Sequence, residues 1–280
     1  MKPSAPLAFF STVLAVAAPG AAQEAAHPSI VTAGITAGAM RFKGGLTEDV
    51  MTGVLQVQPH PWLTLGVAPT AARIAPPDST AYSGFGDLPV SLGLTKQFPG
   101  GASPAVGAAV EVTLPTGTTT GGIGSRDPGW VADVGAGFAP LPGSYLFFNA
   151  GQSLTPARLG FARSVQSTSV GADGSFKLSD RVTATAAIAA DVARSDTLAP
   201  LTRTAGAGLG FGLGGAARLM IDGSVGLNDR SPQWQISVGL GTAFSGLSPV
   251  GLGNPFERVK KAFGQSTTKV GGSKGRGRVP

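Results

Sequence analysis

Val182-Thr183-Ala184-Thr185-Ala186-Ala187-Ile188-Ala189-Ala190-Asp191-Val192 divides into two faces when drawn as an extended chain. Val182, Ala184, Ala186, Ile188, Ala190 and Val192 fall on one side, and Thr183, Thr185 and Asp191 on the other. A period of two is the signature of a β-strand, because successive side chains leave opposite faces of the pleat. The pattern recurs along the chain. Val31, Ala33, Ile35 and Ala37 oppose Thr32, Gly34, Thr36 and Gly38, and Leu88, Val90, Leu92 and Leu94 oppose Ser91, Gly93, Thr95 and Gln97. Val106 to Leu114 alternates with Gly107, Ala109, Glu111 and Thr113, and Trp234, Ile236, Val238 and Leu240 with Gln235, Ser237, Gly239 and Gly241.

The second face separates two all-β architectures. A soluble secreted β-sandwich, the alternative fold, would carry many long charged residues there. Here it holds Gly, Ser, Thr and isolated charges, which suit the narrow interior of a closed barrel whose apolar face meets lipid. A sheet in lipid must close on itself, since its backbone groups find no water there. Connections alternate in length. Tight ones fall at Pro59-His60-Pro61, Phe98-Pro99-Gly100-Gly101, Pro140-Leu141-Pro142-Gly143, Ser179-Asp180 and Gly214-Gly215, and longer ones at Ala75 to Gly84 and Pro115 to Gly129. The chain is expected to form a closed antiparallel transmembrane up-and-down β-barrel of about 12 strands between Ser29 and Phe244, with both termini in the periplasm. Trp62, Trp130, Trp234, Phe98 and Phe244 stand at strand ends, where an interfacial girdle belongs.

Composition agrees. The 280 residues include 43 glycines and no cysteine, with 42% hydrophobic and only 13% charged, too little polar material for a water-soluble surface. Lys2, the apolar run Leu7–Ala18 and the small residues Gly20, Ala21 and Ala22 read as a signal peptide over 1–22. The barrel then spans 23–245, and 246–280 forms a basic periplasmic tail. The net charge of +6 resides in that tail: from residue 251 onward Arg258, Lys260, Lys261, Lys269, Lys274, Arg276 and Arg278 oppose Glu257 alone, while the rest of the chain balances. A nucleic-acid-binding face is therefore not expected. Asn254, Pro255 and Glu257 resemble a helix start, Phe256, Val259 and Phe263 share a face, and Gly264 can end it. A short amphipathic helix follows, able to touch inner-leaflet lipid or cell wall.

Certain strings are more specific than periodicity. Gly84-Phe85-Gly86-Asp87-Leu88 opens a strand, Val110-Glu111-Val112-Thr113-Leu114-Pro115-Thr116-Gly117 closes the next hairpin, and Gly226 to Trp234 leads into a last strand ending on Phe244. With these strings the chain resembles the transporter-like outer-membrane barrels of the MetA-pathway phenol-degradation family. The resemblance implies passage of small hydrophobic or aromatic solutes. Barrels of this kind often end on the final aromatic, whereas this chain continues to Pro280.

Enzyme chemistry is not expected. His27 follows the signal and His60 sits between prolines, with no Ser or acid partner in view, and no metal-ligand spacing or cofactor motif occurs. Gly206-Ala207-Gly208-Leu209-Gly210 continues a strand and precedes no helix, so it is not a phosphate loop. By alternation Glu111, Asp133, Asp173, Asp191, Arg218 and Asp222 face inward and are the candidates for lining the lumen. They either border an aqueous path or pair and fill the barrel. Loop Pro115–Gly129 either folds in as a constriction or stays outside in solvent. The expected function is passive passage of small hydrophobic or aromatic solutes across the outer membrane, and the alternative is a non-transporting structural or adhesive barrel.

Overall fold

A computed structural model describes residues 30–99, 102–120, 123–156, 164–195, 201–214, 217–228 and 231–242. The expected signal peptide, the tail helix and Phe244 lie outside the described residues.

Fourteen strand segments follow one another: β1 (Ile30–Arg41), β2 (Thr47–His60), β3 (Leu63–Val67), β4 (Thr70–Ala75), β5 (Tyr82–Phe85), β6 (Leu88–Gln97), β7 (Ala105–Leu114), β8 (Gly129–Phe138), β9 (Ser144–Thr155), β10 (Val165–Lys177), β11 (Val182–Arg194), β12 (Arg203–Gly214), β13 (Ala217–Gly226) and β14 (Trp234–Gly241). β3 and β4 are two halves of one stave along β2, and β5 and β6 two halves of the next, so the barrel has twelve antiparallel staves. Pro69, which has no amide hydrogen, lies between the halves of the first broken stave. The wall stays bonded across both breaks: Gly53 N–H donates to Pro69 O at 2.9 Å, Ala68 N–H to Pro89 O at 3.1 Å and Gly86 N–H to Thr70 O at 2.8 Å. β1 pairs with both β2 and β14, from Gly34↔Gly241 to Arg41↔Trp234, and closes the sheet.

Closure sorts the connections onto two ends. The end holding the start of β1 and the end of β14 carries the strand ends His60 and Leu63, Gln97 and Ala105, Phe138 and Ser144, Lys177 and Val182, and Gly214 and Ala217, the pairs that flank every tight connection read from the sequence. The opposite end carries the strand ends Arg41 and Thr47, Ala75 and Tyr82, Leu114 and Gly129, Thr155 and Val165, Arg194 and Arg203, and Gly226 and Trp234.

The outward face is apolar and open. Ile35, Leu55, Val134, Phe148, Ile188 and Ile236 are all exposed, which water would disfavour and lipid accommodates. Outward charge is confined to the ends. Arg73 Nη1 bonds Asp49 Oδ2 at 2.9 Å near one end, and Lys96 Nζ lies 5.6 Å from the Phe98 ring near the other. From Asp49 to His60, β2 covers about 36 Å at roughly 3.3 Å per residue, or about 28 Å of height at a tilt near 40°. That matches an apolar band about 25 Å tall. Phe98, Phe138 and Phe176 rim the band at the terminus end, and Phe85 and Trp234 at the other. The molecule is a membrane-spanning barrel of the outer-membrane type.

Candidate functional site

The inward face explains the glycine content. Register partners across an antiparallel pair point to the same side, so a large inward residue needs a neighbour with no side chain. Phe147, with 0% exposure, lays its ring over Gly135 and Gly137, where a Cβ would come within 2.6 Å of ring atoms. The Asp133 carboxylate fills the space over Gly151, Asp222 that over Gly208, Met220 that over Gly210 and Asn149 that over Gly171. Each glycine is a socket for the group beside it. Tyr145 and Phe147 pack further with Ala105 and Ala109, making an apolar mass on the interior of β7–β9.

Above that mass lies buried charge. Gly66, Ser91, Glu111, Val131, Ser153, Ser167 and Arg194 are successive register partners from β3 to β11. Ala109, Asp133, Gly151, Ser169 and Asp191 form the adjacent row. Glu111, Asp133 and Asp191 are 1%, 3% and 2% exposed. Ser153 and Ser167 share a hydrogen bond of 2.8 Å. Asp191 Oδ2 accepts from Arg194 Nη2 at 2.9 Å and from Thr202 N–H at 3.0 Å, which ties Thr202 to the interior. In strict alternation Arg194 would point to lipid. A bulge opposite Thr168/Ser169 inserts one residue into β11 and turns the guanidinium inward.

Of the sequence candidates, the structure brings Asp133 and Asp191 onto one row, with Glu111 on the next. Asp173 is buried two strands away from Gly137, beside Phe147. Arg218 and Asp222 stand apart from these, half-buried on β13. The opposite wall is thinner. Ala187 and Ala189 face inward on β11, paired with Asp173 and Gly171, and both are exposed. Their neighbours on β12 and β13 are Thr204, Gly206 and Ser224. Water therefore reaches the interior along β11–β13, while the β7–β10 wall is packed shut.

A further inward carboxylate escaped the alternation analysis because it lies in a stave break. Asp87, in phase with the inward Pro89 and Ser91, is buried between β5 and β6. Its Oδ1 accepts from Gly117 N–H at 3.0 Å, and its Oδ2 from Ser125 N–H at 2.8 Å and Ser125 Oγ–H at 2.6 Å. Thr118 N–H donates to Phe85 O at 2.7 Å, and Phe85 N–H to Thr118 Oγ1 at 3.3 Å. A Cβ on Gly117 would lie 2.6 Å from the Gly86 carbonyl carbon, and one on Gly124 2.6 Å from that of Gly117. Three backbones thus touch where only glycine fits, and Ile123 and Ser125 of the connection 115–128 are 3% and 2% exposed. Gly117 and Ile123 to Ser125 are folded against the interior, while Thr119, Thr120 and Arg126 to Pro128 are exposed.

With this geometry the chain is similar to two solved barrels. One is the COG4313 outer membrane channel from Pseudomonas putida F1, with a TM-score of 0.59 and 15% identity over 82% of this chain and 100% of that one. The fold is that of outer-membrane β-barrels. The other is the NanC porin, with a TM-score of 0.52 and 7% identity over 75% of this chain and 100% of that one. No protein-family model matches the chain, and no curated protein does. Within this barrel, the Gly84–Leu88 and Leu114–Gly117 strings have a local physical role, since Asp87 joins one to the other.

Proposed function

We propose that this barrel is a passive outer-membrane channel for small hydrophobic or aromatic solutes. The observation that carries the reading is the exposed inward strip at Ala187 and Ala189 beside a wall that is otherwise packed. Small apolar and hydroxyl side chains along it offer a solute few hydrogen bonds, which suits weakly polar cargo. The motif resemblance to phenol-degradation barrels supports the same substrate class. Glu111, Asp133, Asp173, Asp191, Arg218 and Asp222 are proposed to set the field across this strip, three acids from the packed side, Asp191 from β11 and a mixed pair from β13. Arg194, turned inward, offsets Asp191, and Glu111, Asp133, Asp173 and Asp222 against Arg218 still favour cations.

The buried Asp191–Arg194 pair favours a second reading, a filled barrel with a structural or adhesive role. Purified protein in planar bilayers separates the two. Discrete conductance steps, with uptake of small phenolic solutes into liposomes, are expected for the channel, and their absence supports the filled barrel. Replacing Asp133 and Asp191 by Asn should shift the reversal potential away from cation preference. An unshifted potential would remove those two residues from the path.

A further inference from the structure

We propose that the segments 115–120 and 123–128 between β7 and β8 form the constriction of the channel and that Asp87 is the positioning residue that holds them in place. The inference rests on the channel reading and deepens it. Asp87 points inward, because it stands two residues before Pro89 and four before Ser91 on the same face of the stave. A carboxylate that faces the interior can accept bonds from Gly117 and Ser125 only if those residues lie on the inner side of the wall. Ile123, two residues before Ser125, is an apolar side chain in a loop and yet buried. A solvated external loop would leave it open to water.

The bonds are strong for their kind. Both oxygens of one carboxylate are used, by two backbone N–H groups and one hydroxyl, all at 2.6 to 3.0 Å. Hydrogen bonds to a buried charge are among the more stabilising, and losing one partner leaves the other unsatisfied. The segment so held stands over the inward column of Ser91 and Glu111 on β6 and β7, at the end of the barrel away from the termini. It thickens the packed side at the mouth and leaves the β11–β13 strip as the way past.

The test uses the full-length chain, whose lack of cysteine makes a single introduced thiol unambiguous. Ile123→Cys is labelled with a membrane-impermeant maleimide in proteoliposomes, with and without Asp87→Asn. Asn keeps the size of Asp87 but has a single acceptor oxygen, so it cannot serve Gly117 N–H and the two Ser125 donors together. Labelling should quicken about tenfold or more in Asp87→Asn. Conductance should rise in the same variant, while heat-modifiable mobility and the urea midpoint stay near those of the parent. Ser125→Ala, which keeps the backbone bond, should give a smaller rise in both and serves where Asp87→Asn assembles poorly. Unchanged labelling in both variants would overturn the positioning role whatever the conductance. Faster labelling with unchanged conductance in a barrel that conducts would overturn the constriction. A parent that does not conduct at all defeats the channel reading instead, and the labelling result still reports on Asp87.

Discussion

The interior wall of β7–β10 and that of β11–β13 are written in the same alternation, with opposite outcomes. On the first, Glu111, Asp133, Tyr145 and Phe147 are large inward residues, each with small neighbours, and the wall is sealed. On the second, Thr183, Thr185, Ala187 and Ala189 are small throughout, and two of them remain open to water. What decides between a packed interior and an open one is the volume left after each glycine socket is filled. Polarity does not decide it, since both walls carry acids.

The largest difference should come from charge. Arg194→Met leaves Asp191 buried with its partner gone, and the barrel should lose about 3–5 kcal/mol, read as a fall in urea midpoint. Arg218→Met on the half-buried wall should lose less than about 1 kcal/mol. Equal losses would mean that the edge of β11 buried against β10 is packed no more tightly than β13. Volume comes next. Gly135→Leu drives a side chain into the Phe147 ring and should cost about 1–3 kcal/mol, whereas Ala187→Leu, with open space before it, should stay within roughly 0.5 kcal/mol. The functional order reverses. Ala187→Trp should lower single-channel conductance more than Gly135→Leu does, and the opposite ranking would move the path to the other wall.

The smallest effect belongs to the turn between the walls. Lys177 Nζ lies 2.7 Å from Asp180 Oδ1 and its hydrogen bond and charge hold that carboxyl below its ordinary value. A lowered folded value gives stability present above the ordinary carboxylate range and lost as pH falls through the lowered one. Asp180 is fully exposed, so Asp180→Asn should leave the unfolding midpoint unmoved at neutral and acid pH alike.

Much of this was legible in period and punctuation. Strand faces, the twelve staves and the sorting of turns follow from alternation and from Gly/Pro turn chemistry, both local properties. The sequence period also gave the inward phase of Glu111, Asp133 and Asp191. It missed Arg194, because a single bulged residue reverses phase and leaves no mark in composition. It also missed Asp87, whose role depends on Gly117 and Ser125, 30 and 38 residues away. Which inward residues find a socket is a pairwise matter of register, and register across the sheet cannot be read from one strand alone.

The seam between β1 and β14 carries a kinetic consequence. Ala33 meets Thr242 across 209 residues of chain. Closing so long a loop costs about 3 kcal/mol more chain entropy than closing a hairpin turn of a few residues. The hairpins must therefore form first and shorten the effective loop, and the seam joins last. Until it does, the protein is a curved sheet with two bare edges, able to pair with another copy as readily as with itself. The short register of β14 thus governs how many chains become barrels, quite apart from how stable a finished barrel is.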